Sequence, residues 1–125
     1  MTDPCFCCSN LSYDHCCQPY HLGTAKPATP EILMRSRYSA YALHLIDYLI
    51  QTTHPNKRHL YKKNEIENWA TSNHWVKLEI CKAKKDKVEF KAYYQQGIQA
   101  YMHHENSTFK KEQGVWYYLE GSYFD

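Results

Sequence analysis

The chain has 125 residues, with 15 Lys and Arg against 13 Asp and Glu, six Cys, and twelve Tyr, four Phe and three Trp. That length supports one ordinary hydrophobic core and no second one, so a single domain with at most a small appendage follows. A formal charge of +2 argues against a strongly basic nucleic-acid binder, and no apolar run approaches the length of a membrane span.

The first element in chain order is Cys5, Cys7, Cys16 and Cys17, spaced Cys-x-Cys-x8-Cys-Cys. Four soft thiolates within thirteen residues match the needs of a tetrahedral cation, and one structural zinc ion is expected there. Within Cys8-Ser9-Asn10-Leu11-Ser12-Tyr13, Asn10 tolerates a positive φ, so the chain can turn back and aim amides at the sulfurs. Disulfides would have to cross the eight-residue loop, because the paired thiols are too close together for relaxed bridges. They also need an oxidising compartment, and Met1-Thr2-Asp3-Pro4 does not read as a secretory leader, so a cytoplasmic protein is expected. Redox catalysis calls for a Cys-x-x-Cys pair beside a βαβ pattern, which this cluster does not supply. Cys8 and His15 remain as alternative donors. Four thiolates close the coordination sphere, which points to structure rather than hydrolysis.

Pro19 to Pro30 reads as a linker. Thr29 as cap, Pro30 at the first position and Glu31 in the first turn then start a helix expected to run to about Ile50. Its apolar face is Leu33, Met34, Tyr38, Tyr41, Ala42, Leu45, Tyr48 and Leu49, with Arg35 and Arg37 off its centre. His54-Pro55-Asn56 breaks the pattern, and Asn64 caps a short helix through Trp69.

From Trp75 the period becomes two. Val76, Leu78 and Ile80 share one face, as do Val88, Phe90, Ala92 and Tyr94 on the next strand. Turns at Lys84-Lys85-Asp86, Gln96-Gly97 and Gln113-Gly114 separate four strands, the third from Ile98 to about Phe109 and the fourth from Val115 to Leu119. Lys82, Lys84, Lys85, Lys87 and Lys91 bracket the first turn and read as a solvated edge. Helices followed by an antiparallel meander give an α+β fold.

Alternation puts Tyr101, His103, Glu105, Ser107 and Phe109 on one face of the third strand and His104 on the other. Two roles follow for Glu105. It can pair with Arg35 or Arg37 and lock the helix to the sheet, which is the favoured reading, or it can orient His103 as a general base on a pocket floor. A Glu105 free of arginine and facing a cavity beside His103 would favour an enzyme. Cys81, with no activating base in view, reads as an inert thiol.

The Cys cluster resembles the SEC-C motif, the zinc-binding tail of the preprotein translocase ATPase. Leu33 to Tyr41, LMRSRYSAY, resembles the signature of YchJ-type bacterial proteins, as do Asp47-Tyr48-Leu49, His54-Pro55, Glu105 to Phe109 and Gly114 to Tyr118. The resemblance implies a zinc knuckle over residues 1–22, a linker over 23–30 and, over 31–125, a cone similar to nuclear transport factor 2. In such a cone, helices pack on a curved antiparallel sheet. Cys8-Ser9-Asn10 stands where the motif usually has Gly-Ser-Gly. SEC-C tails are similar to partner-docking modules, so the resemblance implies an adaptor whose knuckle meets a protein or ribosomal surface and whose cone takes a peptide or small ligand. The polar cluster assigned to the cone is Arg35, Arg37, Tyr101, His103, Glu105 and Ser107.

Overall fold

In the computed structural model, residues 3–124 are described; Met1, Thr2 and Asp125, which the expected domain bounds include, lie outside them. The N-terminal segment folds around its cysteines with a single 3-10 turn at Tyr13–His15, followed by the short helix α1 (Gln18–His21) inside the expected linker. Cys8 (φ 66°) and Asn10 (φ 70°) both take the left-handed conformation. Asn visits that region readily, while Cys8 carries the strain at the position where the related motif has glycine.

Helix α2 (Pro30–Leu43) starts as expected: Thr29 Oγ1 accepts the Ile32 amide at 3.2 Å and Pro30 takes the first position. It does not continue to Ile50. His44 turns left-handed at φ 61°, and the Leu45 amide donates back to Ala40 O at 2.8 Å, a Schellman-type stop. The chain resumes as α3 (Ile46–Gln51), passes through a 3-10 segment at Pro55–Leu60 and enters α4 (Lys63–Ser72). Here too the sequence reading needs correction. The cap position is Lys62, with no side-chain hydrogen bond, and Asn64 lies inside the helix.

Strands β1 (His74–Lys84), β2 (Lys87–Gln96), β3 (Gln99–Glu112) and β4 (Val115–Tyr123) pair in sequence order as one antiparallel sheet. The first turn is the pair Lys85-Asp86, with Lys85 at φ 56°, and Gln113-Gly114 form another with φ 51° and 81°. Register shifts leave Val76 and Cys81 as extra residues on β1, and a further shift falls after Thr108 on the β3–β4 ladder. Such bulges sharpen twist and bend the strand. They also overturn the simple alternation: Trp75 and Ile80 pack on the core while Val76 is exposed.

Helix α2 covers the concave face. Leu33, Met34 and Tyr38 meet Leu78, Val88, Phe90, Ala92, Phe109 and Tyr118 in one apolar cluster, each large side chain contributing about 1.5–3 kcal/mol by burial. A second cluster of Ala40, Ile46, Leu49 and Ala70 binds the three longer helices together. Both sheet edges are partly covered. The Tyr118 amide donates to Thr52 O at 2.8 Å and His54 N to Tyr118 O at 2.8 Å along β4, while Leu78 N on β1 donates to Cys8 Sγ at 3.4 Å. The architecture is α+β, an N-terminal cysteine knuckle followed by helices on a curved antiparallel sheet.

Candidate functional site

The four cysteine sulfurs of Cys5, Cys7, Cys16 and Cys17 all lie within 4.8 Å of one another. Cys7 and Cys16 are 3.5 Å apart, Cys16 and Cys17 3.9 Å. Ligands at about 2.3 Å in a tetrahedron sit about 3.8 Å from each other, so the group fits a metal ion. Hydrogen bonds from Cys17 and Cys5 hold the Cys7 thiol far below its ordinary range, and hydrogen bonds to Cys5 and Cys7 push Cys17 far up. The Cys17 hydrogen bond draws Cys5 down, but Cys7 and burial outweigh it and leave that thiol at about 11. Without a cation the sulfurs cannot ionise together; a divalent ion would remove that conflict. Ser9 Oγ lies 3.1 Å from Cys16 Sγ as a supporting hydroxyl. The two alternative donors stand outside the group: Cys8 faces the β1 edge, and His15 Nδ1 pairs with Ser12 Oγ at 3.0 Å.

The knuckle is seated on α2. Arg35 Nη1 donates to Cys7 O at 2.8 Å while its Nε bridges Glu31, four residues back, at 3.1 Å. Tyr13 OH donates to His21 Nδ1 at 2.6 Å, and His21 Nε2 donates to Ser36 O at 2.8 Å. Burial lowers the pKa of His21, outweighing its hydrogen bond to Ser36. This seating accounts for Ser36 and Ser39, polar positions on α2 with no remaining exposure. Small side chains there let the knuckle approach the helix.

On the other side of α2, a cavity of about 320 Å³ opens between helices and sheet. One wall is aromatic: Trp75 lies 5.6 Å from Tyr41, 6.0 Å from Tyr38 and 5.8 Å from Trp69, ring centre to ring centre. The lining also carries Arg37, His103, Glu105 and Tyr118. Glu105 is buried, and among the described residues no arginine pairs with it. His103 Nε2 donates to Glu105 Oε1 at 2.8 Å, while Ser107 Oγ and Tyr118 OH both donate to Oε2, the latter at 3.1 Å. Burial acts most strongly on the carboxyl and raises its pKa, but these donors and the His103 charge outweigh it, so Glu105 stays below the ordinary carboxylate value.

The expected cone cluster is therefore divided. His103, Glu105 and Ser107 come together. Tyr101 shares their strand face but stacks on Tyr94 at 5.5 Å, outside the cavity lining. Arg35 serves the knuckle, as above. Arg37 is buried and lines the same cavity as His103 and Glu105, but it donates to Leu49 O at 2.9 Å and Thr52 Oγ1 at 2.7 Å, with its guanidinium 4.6 Å from the Tyr118 ring centre. The Leu49 carbonyl and the Thr52 hydroxyl at the end of α3 took the cation that Glu105 was expected to hold. Gly121 was missed. A Cβ there would collide with Glu105 Oε2, and an isolated glycine inside a strand is the signal for such a close approach.

A cysteine knuckle seated on a ligand-sized α+β cone defines the class: a SEC-C motif joined to a domain similar to nuclear transport factor 2. Residues 1–19 match the SEC-C motif model, and residues 29–121 match that of the YchJ middle NTF2-like domain. The chain belongs to the YchJ-like family of UPF0225 proteins. It is 40% identical to a UPF0225 protein of Actinobacillus succinogenes over 98% of this chain and 83% of that one. With one from Vibrio parahaemolyticus it shares 40% identity over 98% of this chain and 77% of the relative. Among solved structures, it is similar to a SEC-C motif containing protein from Rhodopseudomonas palustris, with a TM-score of 0.90 and 38% identity over the whole of both chains. A SEC-C motif containing protein from Psychrobacter arcticus superposes with a TM-score of 0.79 and 33% identity over all of this chain and 84% of the other.

Proposed function

We propose that the cone is a small-molecule site in which His103, oriented by Glu105, transfers a proton to or from a compact, mostly apolar ligand. The observation that carries this is the arginine-free Glu105 holding His103 on the wall of a 320 Å³ cavity. A structural carboxylate would be expected to meet the nearby guanidinium; this one spends an oxygen on the imidazole instead. Its remaining oxygen is fixed by Ser107 and Tyr118, so the carboxylate is positioned and ionised, as an orienting group for a general base needs to be. The aromatic wall supplies the apolar contact expected of a ligand site. NMR screening with small cyclic carbonyl compounds tests it in two stages. Binding should shift Trp69, Trp75 and His103 resonances, and wild type should accelerate exchange of the ligand's α-protons with solvent at least about a hundredfold over His103→Gln, the usual scale of general-base catalysis. Binding without accelerated exchange would leave a ligand-binding cone and remove the chemistry.

The knuckle has a separate role in this reading. We take its metal to be zinc, bound by Cys5, Cys7, Cys16 and Cys17 at about 2.3 Å with no open position, a staple rather than a reaction centre. Phe6 and Leu11 stand 48% and 53% exposed on the knuckle. Two large apolar side chains on so small a unit support docking to a protein or ribosomal surface, where such groups serve as anchors. A pull-down comparing wild type with Phe6→Ser/Leu11→Ser, zinc content held equal, should lose the partner in the variant; equal recovery would remove the docking role.

A further inference from the structure

The outer face of the sheet, turned away from the cavity, gathers a second set of metal-ligating side chains. Cys81 from β1, Glu89 from β2 and His104 from β3 each bring one ligand atom within 4.8 Å of the other two. Two features of the backbone produce this. The register pairs Lys91 with His104 and Glu89 with Asn106, which sets Glu89 and His104 on a diagonal of the outer face. The bulge between Ile80 and Lys82 supplies an extra residue on β1, and that residue is Cys81. A bulge re-aims its side chain, which in this place brings the thiol to the other two groups.

The imidazole is held before any ion arrives. His104 Nε2 pairs with Glu89 Oε2 at 2.7 Å, and the Phe124 ring stacks on the imidazole at 4.0 Å with an 18° tilt. The Phe124 amide donates to His104 O at 3.0 Å, fixing the stacked ring to the same residue. We propose that Cys81, Glu89 and His104 form a second metal site, taking a borderline divalent transition ion such as zinc, with one coordination position left to water. One sulfur, one nitrogen and one oxygen donor suit such an ion, and three protein ligands leave the fourth tetrahedral place open. Ligand atoms in such a site stand about 3.3–3.8 Å apart, so the histidine and carboxylate open slightly and the exposed Cys81 side chain rotates inward. The knuckle site is closed by four thiolates; this one is open and faces solvent, and its affinity is correspondingly lower.

The experiment titrates cobalt(II) into the full chain carrying one zinc per molecule, following absorption and zinc release together. Wild type should take up one further equivalent without releasing zinc and develop a thiolate-to-cobalt charge-transfer band. Cys81→Ser should abolish that band and weaken the second site by more than about tenfold; His104→Gln should weaken it by a similar factor while the band remains at saturation. Both side chains lie on the outer sheet face, and circular dichroism verifies that each variant is folded, with Cys81→Ala as the replacement if the serine variant is not. Cobalt uptake matched by zinc release, no second equivalent, or a second equivalent indifferent to both substitutions would each overturn the proposal.

Discussion

The knuckle and the cone solve the problem of stability in opposite ways. Residues 5–17 bury three cysteines and almost no other apolar side chain, whereas the cone buries Leu33, Val88, Phe90 and Phe109 in a continuous cluster. A segment that short cannot offset its chain entropy by burial, so a cation held by its four cysteines, as proposed above, would carry its fold. The cone has an apolar core of its own. What joins them is polar: Arg35 on Cys7 O, His21 on Ser36 O, and Cys8 on the amide of Leu78.

Metal removal should break the comparison most visibly. Structural zinc contributes about 10–16 kcal/mol to isolated knuckles, so a strong chelator or Cys16→Ser should abolish hydrogen-exchange protection before Pro19. Residues after Pro30 should keep theirs and lose only the polar joints. Amide exchange followed by NMR reads both halves at once, and collapse of the whole chain on chelation would mean that the cone relies on the knuckle as its lid.

The converse change is made in the cone. Leu33 has no exposure and Phe109 1%, so Leu33→Ala should cost about 2–5 kcal/mol and Phe109→Ala about 3–5 kcal/mol. Thermal denaturation measures the loss, and elemental analysis of the folded variants should still find one metal equivalent. A variant that lost its metal while folded would show the two units to be coupled through α2.

How much of this contrast could be read from the residues depends on the range of the interactions involved. The knuckle was legible because its chemistry is local: four thiols in thirteen residues specify their own geometry. The start of α2 at Thr29-Pro30 and the inward set Val88, Phe90 and Ala92 followed from equally local rules. His44 did not announce a break, since no glycine or proline marks it and the stop depends on a left-handed histidine closing a Schellman turn. The faces of β1 were misread at Val76 because a bulge inserts a residue without changing the composition. The expected pairing of Arg37 with Glu105 was not found, for a long-range reason. The end of α3 returns to within hydrogen-bonding distance of that guanidinium, and only the three-dimensional path reveals that Leu49 O and the Thr52 hydroxyl arrive first.

Glu105 sharpens the comparison from inside the cone. Glu105→Gln keeps the shape but removes the charge, and its amide nitrogen cannot accept from Ser107 and Tyr118 if it faces them. We expect a loss of about 1–3 kcal/mol. Gly121→Ala should give a loss of the same kind, because the new methyl displaces the same carboxylate. If chemical denaturation instead finds Glu105→Gln as stable as wild type or more so, the carboxylate is held at a cost to the fold, as working groups often are.

The smallest effect lies at the joint between the two units and depends on pH. His21 is buried between Tyr13 and Ser36, and burial lowers its pKa from the ordinary 6.5. Its neutral form suits the site: Nδ1 accepts from Tyr13 OH and Nε2 donates to Ser36 O. A histidine whose folded pKa lies below its unfolded one binds its proton more readily when unfolded, so its contribution to stability is present above about pH 6.5 and is lost as the pH falls below that value. Glu105, whose folded pKa is also depressed, adds a loss in the same direction, but in the lower range where carboxyls titrate. Protonation of the cysteine ligands adds another through metal release. The three are separable. Thermal midpoints of wild type and His21→Gln, measured from about pH 8 to about pH 5 with metal content followed in parallel, should converge as the pH drops. The glutamine variant lacks the titrating group and should have the flatter profile until metal is released. Parallel profiles would mean that His21 ionises in the folded protein without cost, and that the joint between knuckle and cone depends on Arg35 and Cys8 instead.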